Sequence, residues 1–436
     1  MEKPRAGGSA QLGPDLRRGL RSPRLVPPGP RRRFGDKGQM TDFTATRALF
    51  DIPEGLVYLD GNSLGPLPRA VPDRVAQAVT RQWGPHLIGG WNACGWMAQP
   101  RALGDRIGRL IGARPGHTVI GDTLSIKVFQ ALAAAVALNP GRKVILSDTG
   151  NFPTDLYMAE GLIKLLGPDY RLQLADPEAL EDAITEETAV VLVTEVDYRT
   201  GRRHDMARLT ATAHTRGALA IWDLAHSAGA FPVDVTGGNA DFAVGCTYKY
   251  LNAGPGAPAF ISVAARHADH AEPALAGWLG HDAPFAFEQG YRPGEGVARM
   301  RVGTPPVLQM AALDAALDVW EGVDMTALRA RSLALADRFI AAVEAACPAL
   351  TLATPRAHDQ RGSQVSFRHP EGYAIMQALI ARGVVGDFRA PDILRFGVTP
   401  LYIGEAEIDR AAEVLAEVMD GALWDQPEYR ARKAVT

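Results

Sequence analysis

Two short apolar runs that lead into charged residues constrain this chain more than any other feature. Residues 218–222 are followed at once by Asp223, and residues 242–245 are followed by a loop that carries Lys249 before a Gly/Pro-rich turn. Continuous apolar runs of this length are typical of strands buried inside a parallel sheet. Ligands of such sheets bind beyond the carboxyl ends of the strands, so we expect Asp223 and Lys249 to share a site.

An acid at one strand end and a lysine after the next strand suit pyridoxal 5'-phosphate (PLP). The lysine forms a Schiff base with the cofactor, and the carboxylate keeps the pyridine nitrogen protonated so that the ring accepts electrons. Either residue alone is more often structural, as a buried acid capping a turn or a surface lysine beside a loop. Together, at this spacing, Asp223 and Lys249 favour the cofactor.

Further motifs carry a resemblance to a known family. The segment Asp-Leu-Ala-His-Ser-Ala-Gly (223–229) and the pair Tyr248-Lys249 resemble the PLP-dependent class V aminotransferase family of fold type I, and within it the kynureninases. Five supporting motifs appear in the family's order: Gly-Asn-Ser-Leu-Gly (61–65), Phe-Pro-Thr-Asp (152–155), Tyr-Arg-Thr-Gly (198–201), Gly-Trp-Leu-Gly-His (277–281) and Arg-Val-Gly-Thr-Pro-Pro (301–306). As a set they are highly specific, and the resemblance runs from about Asp60 to Tyr402.

The pattern of elements and the resemblance both indicate an α/β fold. Helical stretches at 177–184 and 206–215 alternate with apolar strands, which predicts a mainly parallel sheet with helices on both faces. The resemblance implies PLP fold type I, with a seven-stranded, mainly parallel sheet in the large domain and a small α+β C-terminal domain. We therefore expect four parts: a basic, Pro/Gly-rich leader at 1–39, an N-terminal arm at 40–75, the PLP-binding large domain at 76–315 and the small domain at 316–436.

Charge is spread unevenly along the chain. Residues 1–38 hold ten Lys/Arg against three Asp/Glu, with many prolines and no periodic apolar positions, so we expect this leader to be disordered. An Arg-rich, acid-poor leader is typical of an organelle transit peptide, but its prolines disfavour the amphipathic helix of such a peptide. We favour the alternative that Met40 is the true start. The net charge of −3 favours neither nucleic acid nor a membrane surface as a partner.

The cysteines and the apolar runs bear on location. Cys94, Cys246 and Cys347 stand at unrelated spacings, which predicts neither a disulfide framework nor a zinc site and fits a reducing, cytoplasmic compartment. Apolar runs stay below the roughly 18 residues of a membrane-spanning helix. The N-terminus lacks the apolar region of a secretory signal.

The resemblance implies a cofactor site assembled from several loops. Its expected members are Leu124, Ser125, Phe152, Asp155, Thr194, Asp223, His226, Tyr248, Lys249, Trp278 and Thr304. Ser125 matches a position at the phosphate, and a helix N-terminus there would offer unpaired N–H groups, although the same residues suit an ordinary N-cap. Phe152 matches the ring that stacks on the pyridine. Trp278 and Thr304 match positions that reach the neighbouring subunit's site, which implies a homodimer; some relatives use Asn where Thr304 stands.

Two residues are expected to bind substrate. Arg395 matches the family's substrate-carboxylate arginine, because a planar guanidinium grips a carboxylate with two parallel bonds; the alternative is a surface salt bridge. Ser63 matches a position near the substrate's carboxylate and amine; the alternative is a plain loop. The Gly/Trp-rich loop at 88–96 either lines an aromatic substrate pocket or makes packing or dimer contacts.

The resemblance implies hydrolysis of L-kynurenine or 3-hydroxy-L-kynurenine to an anthranilate and L-alanine, with Lys249, Tyr248 and Asp223 as catalytic residues. Three alternatives are a class V aminotransferase, a cysteine desulfurase and a non-catalytic PLP-binding regulator. A desulfurase would need a mobile nucleophilic cysteine, whereas Cys347 stands at an apparent helix end. An aminotransferase would not need motifs 152–155 and 277–281, and the full set of acid, lysine and arginine argues against a regulator.

Overall fold

A computed structural model describes residues 41–433, so the expectation about the leader at 1–39 lies outside the described residues. The α-helices are α1 (Phe43–Arg47), α2 (Val71–Gln77), α3 (Gly84–His86), α4 (Gly90–Ala93), α5 (Gln99–Leu110), α6 (Leu124–Leu138), α7 (Pro153–Leu166), α8 (Met206–Thr215), α9 (Val307–Asp318), α10 (Met325–Ala346), α11 (Gly372–Ile380), α12 (Glu405–Asp420) and α13 (Pro427–Arg430). A π-helical segment, Ala78–Trp83, extends α2. Between residues 41 and 433, no helix is long and apolar enough to cross a membrane.

The strands form one large sheet and smaller ones. They are β1 (Phe50–Asp51), β2 (Val57–Tyr58), β3 (Leu67–Pro68), β4 (Thr118–Ile120), β5 (Val144–Asp148), β6 (Arg171–Ala175), β7 (Thr188–Thr194), β8 (Leu219–Asp223), β9 (Phe242–Gly245), β10 (Phe260–Val263), β11 (Thr351–Leu352), β12 (Gln364–Arg368), β13 (Val384–Val385), β14 (Asp387–Arg389) and β15 (Ile393–Gly397).

The large sheet has seven strands in the order β4-β10-β9-β8-β7-β5-β6. Strands β6, β5, β7, β8 and β9 pair in parallel, whereas β10 is antiparallel to both β9 and β4. Strand β4 therefore points the same way as the parallel strands. The predicted mainly parallel sheet is confirmed, and all strands except β10 place their carboxyl ends at one edge.

The sheet divides the core into two layers because successive side chains of a strand point to opposite faces. Along β7, Val190 and Leu192 belong to the layer that contains α6, whereas Val191 and Val193 belong to the larger layer on the other face. All seven residues of β7 are buried, which explains why its sequence is a continuous apolar run. Burial of each such aliphatic side chain stabilises the fold by about 1.5–3 kcal/mol.

The N-terminal arm docks onto the C-terminal part of the chain. Strand β2 pairs in parallel with β13, so that Val57 lies beside Val384. Beyond it, Leu59 bridges two strands: its N–H donates to the Val385 carbonyl at 2.6 Å, and its carbonyl accepts from the Gly397 N–H at 2.6 Å. This pairing carries the turn at residues 61–65 towards the large sheet.

The C-terminal part contains an antiparallel sheet in the order β11-β12-β15-β14, with helices packed beside it. The sequence predicts that the small domain begins at residue 316. This position lies inside helix α9, and the domain bounds stay a prediction.

One helix prediction is wrong. Residues 177–184 form only a 3-10 turn (Pro177–Ala179) followed by further turns. The stretch is short for α-helix nucleation, and burial of Leu180 and Ile184 holds it against the core without a helical ladder.

Candidate active site

The carboxyl edge of the large sheet gathers most of the residues expected around a cofactor. Along it lie Leu124 and Ser125 after β4, Phe152 and Asp155 after β5, Thr194 at the end of β7, Asp223 and His226 at and after the end of β8, and Tyr248 and Lys249 after β9. Thr194 and Asp223 are register partners across β7 and β8. The alternation of strands and helices therefore brings together residues that are far apart in sequence.

Lys249 lies at the centre of this group. Its Nζ is 3.0 Å from Nε2 of His226 and 5.9 Å from the ring centroids of Phe152 and Tyr248. Burial, and then the nearby charge of Lys249, hold the pKa of His226 well below its usual range. The imidazole is therefore neutral at neutral pH, and its Nε2 can accept a hydrogen bond from the lysine.

Two buried carboxyl groups, Asp155 and Asp223, lie side by side. Burial raises the pKa of Asp223 to about 6, although the charge of Lys249 and a hydrogen bond of 2.8 Å from the Ala225 N–H oppose this. Burial, and then the charge of Asp223, raise the pKa of Asp155 well above its usual range. Two adjacent buried carboxyl groups resist ionising together, and Asp155 holds its proton to a higher pH than Asp223 does.

Asn151 was not indicated as a site residue by the sequence motifs, and its side chain connects three parts of this edge. Its Oδ1 accepts from the Phe152 N–H at 2.7 Å and from the Thr194 hydroxyl, and its Nδ2 donates to Ser147 Oγ at 2.9 Å. The ring of Phe152 meets that of Tyr198 edge-on at 5.2 Å and remains 39% exposed. An aromatic ring left this open at the sheet edge can stack on a planar ligand. The polar Asn151 just before the Phe-Pro-Thr-Asp motif was the available signal.

The turn at residues 61–65 presses against the Lys249 loop. The Gly65 N–H donates to the Tyr248 carbonyl at 2.8 Å. A Cβ on Gly65 would lie 2.3 Å from the Lys249 carbonyl oxygen and 2.4 Å from Asn252 Oδ1, so only glycine fits here. Burial raises the pKa of the Tyr248 phenol, which therefore keeps its proton at neutral pH.

Arg395 lies on β15 and is almost completely buried, which excludes the surface salt bridge considered for it. Its Nε donates to Asp387 Oδ1 at 2.6 Å, and its Nη2 pairs with Oδ2 of the same carboxylate. Nη2 also lies 3.0 Å from Ser63 Oγ, and Nη1 donates to the Tyr198 carbonyl. The structure thus brings the two predicted substrate-binding residues, Arg395 and Ser63, together.

We call Asp60, Ser63, Asp387, Arg389 and Arg395 the arginine cluster. Arg389 Nη2 lies 2.8 Å from Asp387 Oδ2, and its side chain is 34% exposed. Burial alone would raise the pKa of Asp387, but Arg395 and Arg389 hold it below its usual value. Burial, and then the charge of Asp387, raise the pKa of Asp60 to about 7.

The sequence motifs did not indicate Asp60, Asp387 or Arg389 as site residues. Asp387 is the register partner of Arg395 across β14 and β15. The signal was an acid and a base alternating on the strand that pairs with Arg395.

Leu124 and Ser125 begin α6, which Thr123 caps by accepting the Ile126 N–H at 3.5 Å. Trp278 and Thr304 lie apart from the group. Trp278 is 41% exposed with its ring edge-on to Phe285, and Thr304 is exposed. Within the described residues, neither makes a hydrogen bond, ion pair or ring contact with the side chains around Lys249.

The Gly/Trp-rich segment is partly helical and favours the packing alternative. Trp96 is buried, its ring meets that of Trp91 edge-on at 5.5 Å, and its Nε1 donates to Gln82 Oε1 at 2.9 Å.

The residues at the sheet edge fit PLP. Lys249 offers an amine that can be held and released by a neutral histidine. Oδ2 of Asp155 is buried without a hydrogen-bond partner beside Asp223, which suits the N–H of a protonated pyridine. The N-terminus of α6, a helix of 15 residues, offers N–H groups to a phosphate.

Solved structures with the same fold are PLP enzymes of fold type I. A cysteine desulfurase from Escherichia coli superposes with a TM-score of 0.71 at 21% identity, covering 88% of this chain and 99% of that one. A cysteine desulfurase from Thermococcus onnurineus NA1 gives a TM-score of 0.71 at 18% identity with the same coverage. These likenesses show the fold and do not distinguish the reactions.

Sequence comparisons are more specific. The family model for the kynureninase C-terminal domain matches residues 328–415, and that of the DegT/DnrJ/EryC1/StrS aminotransferase family matches residues 111–245. A kynureninase of Burkholderia pseudomallei (strain 1106a) is 53% identical over 397 residues, which are 89% of this chain and 95% of that protein. A kynureninase of Pseudomonas fluorescens is 51% identical with the same coverage. With this identity over nearly the full length of its relatives, the chain belongs to the kynureninase family.

Proposed function

We propose that this chain is a PLP-dependent hydrolase of carbon–carbon bonds that cleaves L-kynurenine, 3-hydroxy-L-kynurenine or both. The products are anthranilate or 3-hydroxyanthranilate, and L-alanine. The observation that carries the proposal is the position of Lys249, whose Nζ lies 3.0 Å from Nε2 of His226 near the buried Asp155–Asp223 pair. The chain that presents this arrangement is 53% identical to a protein named kynureninase.

Bound PLP supplies an electron sink that stabilises negative charge developing on the substrate carbons. Around it, Lys249 is placed to move protons, since its Nζ can take the proton from the substrate α-carbon. His226 accepts a hydrogen bond from this Nζ and so orients it. Removal of one correctly placed acid–base group typically costs on the order of 10²–10⁴ in rate.

Asp223, the more acidic of the two carboxyl groups, would hold positive charge at the pyridine nitrogen, with Asp155 beside it keeping its proton to a higher pH. A carboxylate that accepts the ring N–H keeps the nitrogen protonated, and the burial of both acids strengthens this interaction because water does not screen it. The exposed ring of Phe152 would stack on the cofactor, and the hydrogen bond from the Phe152 N–H to Asn151 Oδ1 holds the backbone of this residue in place.

Tyr248 would act in the steps that follow removal of the α-proton. Water adds to the γ-carbonyl of the substrate, and breaking the bond between the β- and γ-carbons releases the anthranilate. The β-carbon then takes a proton to give L-alanine. The Tyr248 phenol, which keeps its proton at neutral pH, can hydrogen-bond to the oxyanion or supply that proton.

Arg395 and Ser63 orient the substrate through its α-carboxylate. Both lie in the arginine cluster, and Nη2 of Arg395 is within 3.0 Å of Ser63 Oγ. An amino acid held at its carboxylate and its amine presents its α-hydrogen in a fixed direction, which lowers the entropic cost of reaction.

We further propose a homodimer that shares its active sites, with Trp278 and Thr304 acting on the partner's cofactor. Their exposure, and the exposed Phe285 and Phe287 beside Trp278, support this. The free thiols Cys94, Cys246 and Cys347 support a cytoplasmic location.

One assay separates the candidate reactions. Purified protein with PLP and L-kynurenine should release fluorescent anthranilate and equimolar alanine. Transamination without carbon–carbon cleavage would support an aminotransferase. Release of sulfide from cysteine would support a desulfurase, and cofactor binding without any reaction would support a non-catalytic regulator. Borohydride reduction followed by digestion and mass spectrometry should place the pyridoxyl label on Lys249; a label elsewhere contradicts the proposal.

A further inference from the structure

When both of its acids are ionised, above about pH 7, the arginine cluster is electrically balanced before any substrate arrives. It contains two carboxyl groups, Asp60 and Asp387, and two guanidinium groups, Arg389 and Arg395. The fork of Arg395 grips Asp387 through Nε and Nη2, and Arg389 Nη2 lies 2.8 Å from the same carboxylate. Asp387 and Arg395 are buried and the other three residues are half-buried, so water screens the charges of the cluster only in part.

A substrate α-carboxylate entering this cluster would be a third negative charge against two positive ones. An uncompensated charge in a buried site is costly, so the site must either lose an acid or gain a proton. Asp387 is the wrong group to take a proton, because both arginines pair with it and hold its pKa down.

Asp60 is differently placed. Within residues 41–433 it forms no ion pair within 4.0 Å, and its Oδ1 is buried without a hydrogen-bond partner. Its backbone carbonyl accepts from the Ser63 N–H at 3.0 Å, which holds the carboxyl group next to Ser63 and hence next to Arg395. A group with a free acceptor atom in this position can carry a proton without breaking an existing pair.

We propose that Asp60 takes up one proton from solvent when the α-carboxylate of an amino acid binds to Arg389 and Arg395, and returns it when the product leaves. The inference rests on the proposed function, which assigns the amino acid carboxylate to Arg395. Substrate binding is thereby coupled to protonation of the N-terminal arm, and the cluster stays neutral throughout the cycle.

The other groups that face Asp60 do not supply this proton. They are Tyr58 from β2, Tyr250 from the Lys249 loop, Tyr402 after β15, Asp387 and Arg389 from β14, and Arg395 from β15. Burial raises the pKa of each tyrosine, so all three keep their protons at neutral pH. The pKa of Asp60, about 7 without substrate, leaves it partly ionised in the range where uptake can be measured.

The first test compares the holoenzyme with Asp60→Asn, which mimics the protonated acid. The Kd for L-alanine is measured from the cofactor absorbance between about pH 6 and 9. If the wild-type protein takes up one proton on binding and the Asp60→Asn variant takes up none, the ratio of the wild-type Kd to the variant Kd rises by about tenfold per pH unit above about pH 7. A ratio that stays constant with pH overturns the proposal. Asp51→Asn, which removes an exposed acid of the same arm, should follow the wild-type profile.

The second test needs no variant. Calorimetric titration of the wild-type holoenzyme in two buffers of different ionisation enthalpy counts the protons taken up with L-alanine and with ethylamine, which lacks the carboxylate. Above about pH 7, L-alanine should take up about one proton more. Equal uptake overturns the inference. Failure of the proposed function is seen separately, as absence of anthranilate release from L-kynurenine by the same preparation.

Discussion

At the scale of single residues, the charges beside each buried acid decide its protonation state. Asp387 is paired with two arginines and stays ionised, whereas Asp155, buried beside another carboxylate, holds its proton to a pH above its usual pKa. The same side chain thus serves as a fixed anion in one place and as a proton carrier in another, because its neighbours differ. This distribution is set by contacts that are distant in sequence.

Replacing Lys249 by Ala should reduce anthranilate formation by at least about 10²–10⁴-fold, because in the proposed mechanism this amine both holds the cofactor and moves the α-proton. Steady-state fluorescence assays measure the loss, and borohydride labelling should fail in parallel. Lys164→Ala, at an exposed position of α7, serves as the control and should keep wild-type turnover. Retention of activity within tenfold in the Lys249 variant would contradict the assignment.

Asp155→Asn should change how stability depends on pH in the cofactor-free protein. Because the folded-state pKa of Asp155 is raised, the folded protein keeps a proton that the unfolded chain has already released. Wild-type stability therefore falls as pH rises from the unfolded-state pKa towards the folded-state pKa, by up to about 1.4 kcal/mol per pH unit relative to Asn. Urea unfolding at about pH 5, 6 and 7 measures the difference.

The exposed Asp169→Asn is the matched control and should show the wild-type pH dependence. A constant difference in unfolding free energy between Asp155→Asn and wild type would show that Asp155 is ionised in the folded protein.

At the scale of elements, the sequence predicted those parts that are fixed by local pattern. Helix 206–215 and strand 242–245 occur as predicted, and Asp223 lies near enough to Lys249 to feel its charge because parallel strands share an edge. The sequence did not predict that Asp387 would occupy the fork of Arg395, because this contact depends on how β14 registers with β15. Nor did it show the role of Asn151, whose partners Ser147 and Thr194 lie on two strands.

The turn at 61–65 is an element whose position depends on one missing side chain. Gly65→Ala would place a Cβ 2.3 Å from the Lys249 carbonyl oxygen, so the turn or the loop must move. A displacement of about 1 Å at a reacting group costs on the order of 100-fold in rate. We expect such a loss in kcat/KM for L-kynurenine, with weaker PLP retention on gel filtration.

Gly161→Ala provides the comparison for this variant. Gly161 lies on the exposed side of α7, and a Cβ there meets nothing within 4 Å. Turnover should be unchanged and stability slightly higher, by about 0.5–1 kcal/mol, because alanine is the better helix former. Equal kinetics for the two alanine variants would show that the turn does not position Lys249.

At the scale of the whole molecule, the exposed aromatic side chains are the main feature without a partner in the described part of the chain. Phe285 is 61% and Phe287 79% exposed, and their rings are 6.4 Å apart. Clusters of exposed apolar rings of this kind mark association surfaces. In the homodimer proposed above, a second copy of the chain would cover these rings and bring Trp278 to the partner's cofactor.

A mixture of Lys249→Ala and Trp278→Ala, both of which should be inactive alone, tests whether the two subunits share their active sites. If Trp278 acts on the partner's site, a heterodimer of Lys249→Ala and Trp278→Ala contains one site with both residues intact. Random exchange of equal amounts should then restore about a quarter of the wild-type sites, because half of the dimers are mixed. Anthranilate release after dissociation and reassembly is the measurement. No recovery, with dimers confirmed by sedimentation, would place both residues in the same subunit's site.

The pairing of β2 with β13 has a consequence during synthesis. Val57 and Val384 lie side by side although more than 300 residues separate them along the chain. While the ribosome is still making the latter half, the arm that bears Ser63 has no strand to join and the Lys249 loop lacks its cover. The arm can therefore reach its final position only after residues 384–397 have been translated, however early the central sheet forms.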